Sequence, residues 1–129
     1  MRNPRARDPF AELYGDLSER LRGEGWRPDV DVFETEAQVV VRVELSGVRQ
    51  EEVRVSVDGD ELRIAGHRPT GEGEATCLHQ MEIATGPFER RVRVPVPFDR
   101  AQVVARLVDG VLTVRLPKRG PEPHQVEIE

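Results

Sequence analysis

The sequence has few of the residue types from which catalytic and metal sites are built. Among its 129 residues there are one cysteine, one lysine and three histidines. The single cysteine, Cys77, excludes a disulfide within the chain, which is typical of a reducing compartment. The first residues run into Asp8 and Pro9 without the apolar stretch of a signal peptide. We therefore expect a cytoplasmic protein.

Long apolar runs and clusters of positive charge are also missing. No run approaches the roughly 20 apolar residues that cross a bilayer, so we expect no stable membrane insertion. The net charge is −5, and no basic run is longer than two residues. Nucleic-acid binding depends on a clustered basic surface, so the charge pattern argues against a nucleic-acid partner.

No pattern in the sequence indicates catalysis, a metal or a cofactor. His67, His79 and His124 lie far apart, without the short spacings of zinc ligands, and we expect them at the surface. A glycine-rich loop that binds phosphate is absent. Carboxylate pairs such as Glu51–Glu52 coincide with predicted turns. We expect no enzyme, no metal and no cofactor; an enzyme would need a site assembled from scattered residues.

Length and apolar composition favour one β-rich domain. A chain of 129 residues can bury one core but not two. Nineteen residues are valine and three are isoleucine, and the aromatic residues are only four Phe, one Trp and one Tyr. Valine at this abundance favours strands.

Residues 8–23 carry the only helical pattern in the chain. Asp8 is suited to cap this helix, Pro9 to begin it and Gly23 to end it. So short a helix is marginal in isolation, so its apolar side must lie on this domain, on another subunit or on another protein. That apolar side consists of Phe10, Leu13, Tyr14, Leu17 and Leu21.

From Trp26 onward, apolar and polar residues alternate with a period of two. Each alternating segment is short and bounded by turns, and no helix-length segment separates them. The pattern predicts an all-β fold, an immunoglobulin-like antiparallel β-sandwich. The predicted strands cover residues 39–45, 53–57, 62–65 and 88–94.

The last predicted hairpin has a defined register. A type I′ turn at Asp109–Gly110 pairs Leu107 with Leu112 and Ala105 with Val114. This register makes one side of the hairpin apolar, whereas a slip by one residue would place arginines in the core.

Two stretches lack the strand pattern. Residues 67–76 are polar, contain glycine and are predicted to form a long loop. Residues 117–123 contain three prolines and are predicted to form an extended tether before the last residues of the sequence.

Residues 105–118, ARLVDGVLTVRLPK, resemble the signature of the small heat-shock proteins of the α-crystallin/Hsp20 family. That signature is A-x-x-x-(N/D)-G-V-L, followed by a strand and Pro-Lys. Ser46 departs from the family, which more often has proline there, but Gly47 keeps the turn. The resemblance covers residues 26–117, and its supporting matches are residues 26–35, 45–48 and 86–95.

The resemblance implies a domain order and a function. Residues 1–25 correspond to a partly helical N-terminal arm, residues 26–117 to an α-crystallin-type β-sandwich domain, and residues 118–129 to a C-terminal tether and tail. The family implies an ATP-independent holdase, a homodimer that assembles into higher oligomers and captures unfolding client proteins. In that reading the apolar side of the arm, between Phe10 and Leu21, binds clients.

The resemblance also implies an oligomerisation tail. Val126-Glu127-Ile128 resembles the family's I-x-I motif, whose two apolar residues project to the same side of a strand. In the family this motif enters a groove on a neighbouring subunit. The alternative is that Val126 and Ile128 are incidental apolar residues of a frayed end. The residues that correspond to the groove are Val53, Val55, Val57, Val103, Ala105 and Leu107.

A dimer interface follows from the same resemblance. In bacterial-type members a short strand from the long loop pairs with the first strand of the partner, which protects an open sheet edge. An ordinary loop is the alternative. The residues expected at this interface are Asp29, Val30, Asp31, Val32, Phe33, Ala75, Thr76, Cys77 and Leu78.

A second class of function shares the predicted strand pattern. A co-chaperone or adaptor of the p23/CS type is also a β-sandwich, but it binds a specific folded partner. The Val126-Glu127-Ile128 motif argues against it, and an adaptor of this kind would be a stable monomer rather than a large assembly.

Overall fold

The computed structural model describes residues 26–71, 73–120 and 126–129. The predicted helix of residues 8–23, with its five apolar residues, lies outside the described residues. No helix in the described part of the chain is long and apolar enough to span a bilayer.

In the described residues, seven antiparallel strands form two sheets. One sheet has the order β1-β2-β7-β6 and the other β3-β4-β5. Short 3-10 turns at Gln50–Glu52 and Arg100–Gln102 precede β3 and β6. The predicted all-β antiparallel sandwich is therefore confirmed. The strands are β1 (Val30–Glu34), β2 (Gln38–Glu44), β3 (Val53–Asp58), β4 (Glu61–Arg68), β5 (Gly86–Arg93), β6 (Val104–Val108) and β7 (Val111–Pro117).

The core lies between the two sheets and is built from one side of each strand. In β2 the buried residues Val39, Val41 and Val43 pair with Leu116, Val114 and Leu112 of β7. Leu62 and Ile64 of β4 and Phe88 of β5 close the core from the other sheet. The period of two in the sequence therefore places branched aliphatic side chains inside and arginines outside.

The register of the last hairpin is confirmed, because Leu107 pairs with Leu112 and Ala105 with Val114. Asp109 (φ 51°) and Gly110 (φ 78°) both adopt positive φ, as a type I′ turn requires. A Cβ on Gly110 would lie 2.9 Å from the Ser46 Cα atom, so the turn also packs against the end of β2.

The predicted start of the long loop is wrong by two residues. His67 and Arg68 belong to β4, where they pair with Pro87 and Gly86 of β5. Although residues 67–76 favour turns, pairing with β5 satisfies the main-chain hydrogen-bonding groups of His67 and Arg68, so these two residues continue the strand. The segment between β4 and β5 is therefore 69–85.

Main-chain hydrogen bonds continue past the end of β7. The Lys118 amide donates to the Ala37 carbonyl (2.8 Å), and the Arg119 amide donates to the Pro97 carbonyl (3.0 Å). The Lys118 ammonium also lies 2.9 Å from a Glu34 carboxylate oxygen. Main-chain hydrogen bonds to the sandwich thus continue to Arg119, within the stretch that the sequence assigns to the tether.

Candidate assembly surfaces

One side of the sandwich is closed by the segment that leads into β1. The Trp26 ring packs edge-on against Phe88 of β5, with ring centroids 4.8 Å apart and an interplanar angle of 73°. Pro28 is fully buried, and its carbonyl accepts a 2.7 Å hydrogen bond from Nη1 of Arg90. We call this side, between β1 and β5, the closed side.

Arg90 is the polar residue of the closed side. It lies between Phe88 and Val92 in the alternation of β5, so its side chain is directed between the sheets. Burial lowers the pKa of Arg90, and the nearby Arg27 guanidinium lowers this pKa further, while Asp29 opposes the change. The Nε atom of Arg90 is buried and has no hydrogen-bond partner among the described residues.

Arg68 connects three separate segments beside the closed side. Its guanidinium carbon lies 4.0 Å from the centre of the Trp26 ring, a cation–π arrangement. Nε donates to the Ala84 carbonyl (2.8 Å), and Nη1 donates to the Ser46 carbonyl (3.3 Å). Arg68 thereby holds the end of segment 69–85 against the turn after β2.

The opposite side of the sandwich is less completely covered. Because residues 26–28 cover the β5 edge next to β1, the edge strands β3 and β6 lie together on the other side. Their inward-facing residues contact the core but remain only half-buried, and Ala105 is exposed. We call this side the open groove. Five of the six residues predicted for the tail-acceptor groove are half-buried against the core on this side, namely Val53, Val55, Val57, Val103 and Leu107, and the sixth is the exposed Ala105.

The two apolar residues of the predicted tail are not packed on their own domain. Val126 is 74% exposed and Ile128 is 94% exposed. Within the described part of one chain, the tail and the open groove therefore remain separate.

The predicted dimer residues also form two separate groups. In the described residues β1 pairs with β2 alone, so its other edge has free main-chain groups, and Val32 and Phe33 are exposed. Residues 75–78 form no strand in the structure, and Cys77 and Leu78 are exposed. Within the described part of one chain, residues 29–33 and 75–78 therefore form no strand pair with each other.

Segment 69–85 carries two further exposed apolar residues that are not among the interface residues predicted from the sequence. Met81 and Ile83 are exposed like Leu78, and all three line a depression beside the Ser46–Gly47 turn. Their signal in the sequence is three large apolar residues within six positions of an otherwise polar segment.

The described residues contain no cluster of three or more His, Cys, Asp or Glu side chains that would suit a metal ion. His67 is half-buried, with Nδ1 3.7 Å from a Glu52 carboxylate oxygen, and His79 is exposed. The expectation of a surface position is thus met by His79 and only in part by His67, and His124 lies outside the described residues.

Known proteins share this sequence pattern. The Hsp20/alpha crystallin family matches residues 31–129. The 16.9 kDa class I heat shock protein 1 of Triticum aestivum is 35% identical in an alignment of 139 positions, which covers 94% of this chain and 92% of that protein. The 21.9 kDa heat shock protein of Oryza sativa subsp. japonica is 43% identical over 113 residues, which cover 77% of this chain but 55% of that protein. The chain thus spans about half the length of the rice relative.

The fold agrees with these matches. A small heat-shock protein from Xylella fastidiosa has a TM-score of 0.70 and 30% sequence identity to this chain, and the match covers 81% of this chain and 97% of that one. Sequence and fold together assign the family. This chain belongs to the Hsp20/alpha crystallin family of small heat shock proteins.

Proposed function

We propose that this protein is an ATP-independent holdase that binds partly unfolded proteins in the cytoplasm and prevents their aggregation, working from a dimer-based oligomer. The observation that carries the proposal is the amount of apolar surface that the described residues leave uncovered. Contiguous apolar surface on a soluble domain marks interaction sites. The large exposed apolar residues are Val32, Phe33, Leu78, Met81, Ile83, Val104, Val108, Val126 and Ile128.

In this proposal three surfaces have separate functions: client binding, dimer formation and docking of the tail. The apolar side of residues 10–21 binds clients, since an amphipathic segment can repack around many partners. The free edge of β1 pairs with residues 75–78 of a partner subunit, which covers an otherwise open sheet edge. The tail residues Val126 and Ile128 enter the open groove of a neighbouring subunit. The family match over residues 31–129 supports the assignments of β1 and of the tail.

A heated model client tests the proposed activity. Light scattering of the client should rise more slowly when the full chain is present without ATP, because captured client molecules are withdrawn from aggregation. Unchanged scattering at a molar excess of the full chain would contradict the holdase proposal.

A pair of arm variants tests the client-binding assignment. Leu13→Ser/Leu17→Ser should weaken the protection, because it removes apolar surface from the predicted contact side. The matched control, Glu12→Ser/Asp16→Ser, changes the polar side of the same predicted helix and should retain the protection. Equal protection by both variants would contradict the assignment of residues 10–21.

A further inference from the structure

The two strands that border the open groove carry an arginine at matching positions. Arg54 lies between the inward-facing Val53 and Val55 of β3, and Arg106 lies between Ala105 and Leu107 of β6. Successive side chains of a strand point to opposite faces, so both arginines project outward at the two rims of the groove. Both are exposed.

These rim arginines differ from most arginines of the sandwich. Apart from Arg42 of β2, the arginines of the other strands have a hydrogen bond or an ion pair in the described residues, such as Arg63 with Glu89 (2.9 Å) and Arg115 with Gln38 (3.2 Å). Neither Arg54 nor Arg106 has one in the part of the chain that the structure describes. The strand arginines that have a hydrogen-bond or ion-pair partner are Arg63, Arg68, Arg90, Arg91, Arg93 and Arg115.

The tail has the complementary pattern. Glu127 lies between Val126 and Ile128, and Glu129 follows Ile128. When an extended tail directs Val126 and Ile128 into the groove, Glu127 and Glu129 point the opposite way, toward the mouth of the groove and its rims. Negative charge on the tail then meets positive charge on the receiving strands.

We propose that Glu127 and Glu129 of one chain form ion pairs with Arg54 and Arg106 of a second copy, so that charge as well as apolar contact selects the tail for the groove. This inference rests on the tail docking proposed above. The second copy is the expected partner because Val126 and Ile128 of the same chain are exposed rather than seated in its own groove.

The same charges select one register for the tail. Asp58 shares the outer face of β3 with Arg54 and lies at the far end of the strand. A tail shifted toward Asp58 places carboxylate beside carboxylate, which disfavours that register. The charge pattern thus draws the acidic tail residues toward the Arg54 end of β3.

The proposal predicts that docking weakens with salt. Each exposed ion pair contributes about a 1.5- to 5-fold change in affinity. Raising the ionic strength from about 0.1 M to about 1 M shortens the screening length from about 10 Å to about 3 Å and should remove most of this contribution. Two charge-reversal variants of the full chain separate the charge effect from the apolar effect: the tail variant Glu127→Arg/Glu129→Arg and the rim variant Arg54→Glu/Arg106→Glu.

The assembly formed by each reversal variant alone should be weaker. In sedimentation velocity it should dissociate at a protein concentration several-fold higher than the concentration at which the wild-type assembly dissociates. Mixed in equal amounts, the two variants should assemble again, because each tail then meets a rim of opposite charge on the other chain. Glu36→Arg/Glu74→Arg makes the same change in net charge as the tail variant, at exposed positions outside the tail and the groove, and this control should assemble like the wild type. Circular dichroism checks that every variant retains its β structure.

Three outcomes would overturn the inference. Reversal variants that assemble like the wild type, while Val126→Ala/Ile128→Ala dissociates, would leave the apolar docking and remove the charge pairing. A mixture that stays dissociated would contradict pairing between copies and favour a tail bound to its own chain. Intact assembly of Val126→Ala/Ile128→Ala would refute the tail docking itself, and the inference with it.

Discussion

The closed side and the open groove are built from the same alternation of apolar residues, but the space between the two sheets is filled on the closed side and left partly uncovered at the groove. On the closed side an aromatic pair, a buried proline and an inward-directed arginine fill the space between the sheets. In the open groove the space is bordered by half-buried valines and the small, exposed Ala105. The closed side completes the core within one chain, whereas the groove leaves apolar area that only another segment can cover.

The largest effect on folding should come from the closed side. Phe88→Ala removes a fully buried ring and the partner of Trp26, so the free energy of unfolding should fall by about 3–5 kcal/mol. Urea denaturation at one fixed protein concentration measures the change, because assembly also contributes to apparent stability. A loss below about 1 kcal/mol would mean that the closed side does not carry the core.

Arg90→Ala tests the polar part of the closed side. Its loss leaves the Pro28 carbonyl without its donor, and a buried unpaired group costs about 1–3 kcal/mol. Trp26 fluorescence should shift to the red, since residues 26–28 would pack less firmly. Arg93→Ala is the matched control on the same strand, because the Arg93 side chain is 78% exposed and its loss should change stability by less than about 0.5 kcal/mol. Equal losses from both variants would contradict a special role for Arg90.

Substitution in the open groove should lower stability less than on the closed side and should change the assembly as well. Val55→Ala removes two methyl groups from a half-buried side chain, which should cost about 1 kcal/mol of unfolding free energy. The same change removes part of the surface proposed to receive the tail, so the assembly should become measurably smaller in light scattering. An unchanged particle size would argue that Val55 does not receive the tail.

Ala105→Asp should have the smallest effect on folding and a clear effect on assembly. Ala105 is exposed, and exposed substitutions usually change stability by less than about 0.5 kcal/mol. A carboxylate directed into the groove would lie against the apolar tail residues and would lose hydration when they dock. Thermal denaturation close to that of the wild type, together with a smaller particle, is the expected result. A loss of fold would place Ala105 in the core rather than the groove.

The sequence pattern predicted which alternating residues form the core, but it did not predict which other residues become buried around that core. Strand register followed from alternation and from the Asp109–Gly110 turn, because both are local signals. The role of Arg90 was not predictable, since its pairing with the Pro28 carbonyl joins residues 62 positions apart. Val40 lies on the outward side of β2 yet is only 1% exposed, because cross-strand neighbours cover it.

The residues of the candidate surfaces also fall into two groups, those that the sequence predicted and those that it did not. The groove residues were predicted through a resemblance to a family; five of the six lie on the edge strands β3 and β6, and Val103 directly precedes β6. The sequence marks Met81 and Ile83 as apolar residues of a polar segment, but it does not place them in a depression beside the Ser46–Gly47 turn, because that position depends on a segment without regular secondary structure. Local patterns thus predict which residues lie inside, while contacts between distant segments decide which apolar residues stay outside.

Native mass spectrometry of the full chain beside Val126→Ala/Ile128→Ala tests the central claim most directly. Burial of each tail side chain is worth about 1.5–3 kcal/mol, so loss of both should separate the large assembly into dimers. We expect a large assembly for the wild type and dimers for the variant. A variant that keeps the mass of the wild-type assembly, or a wild type that is a monomer, would contradict the account.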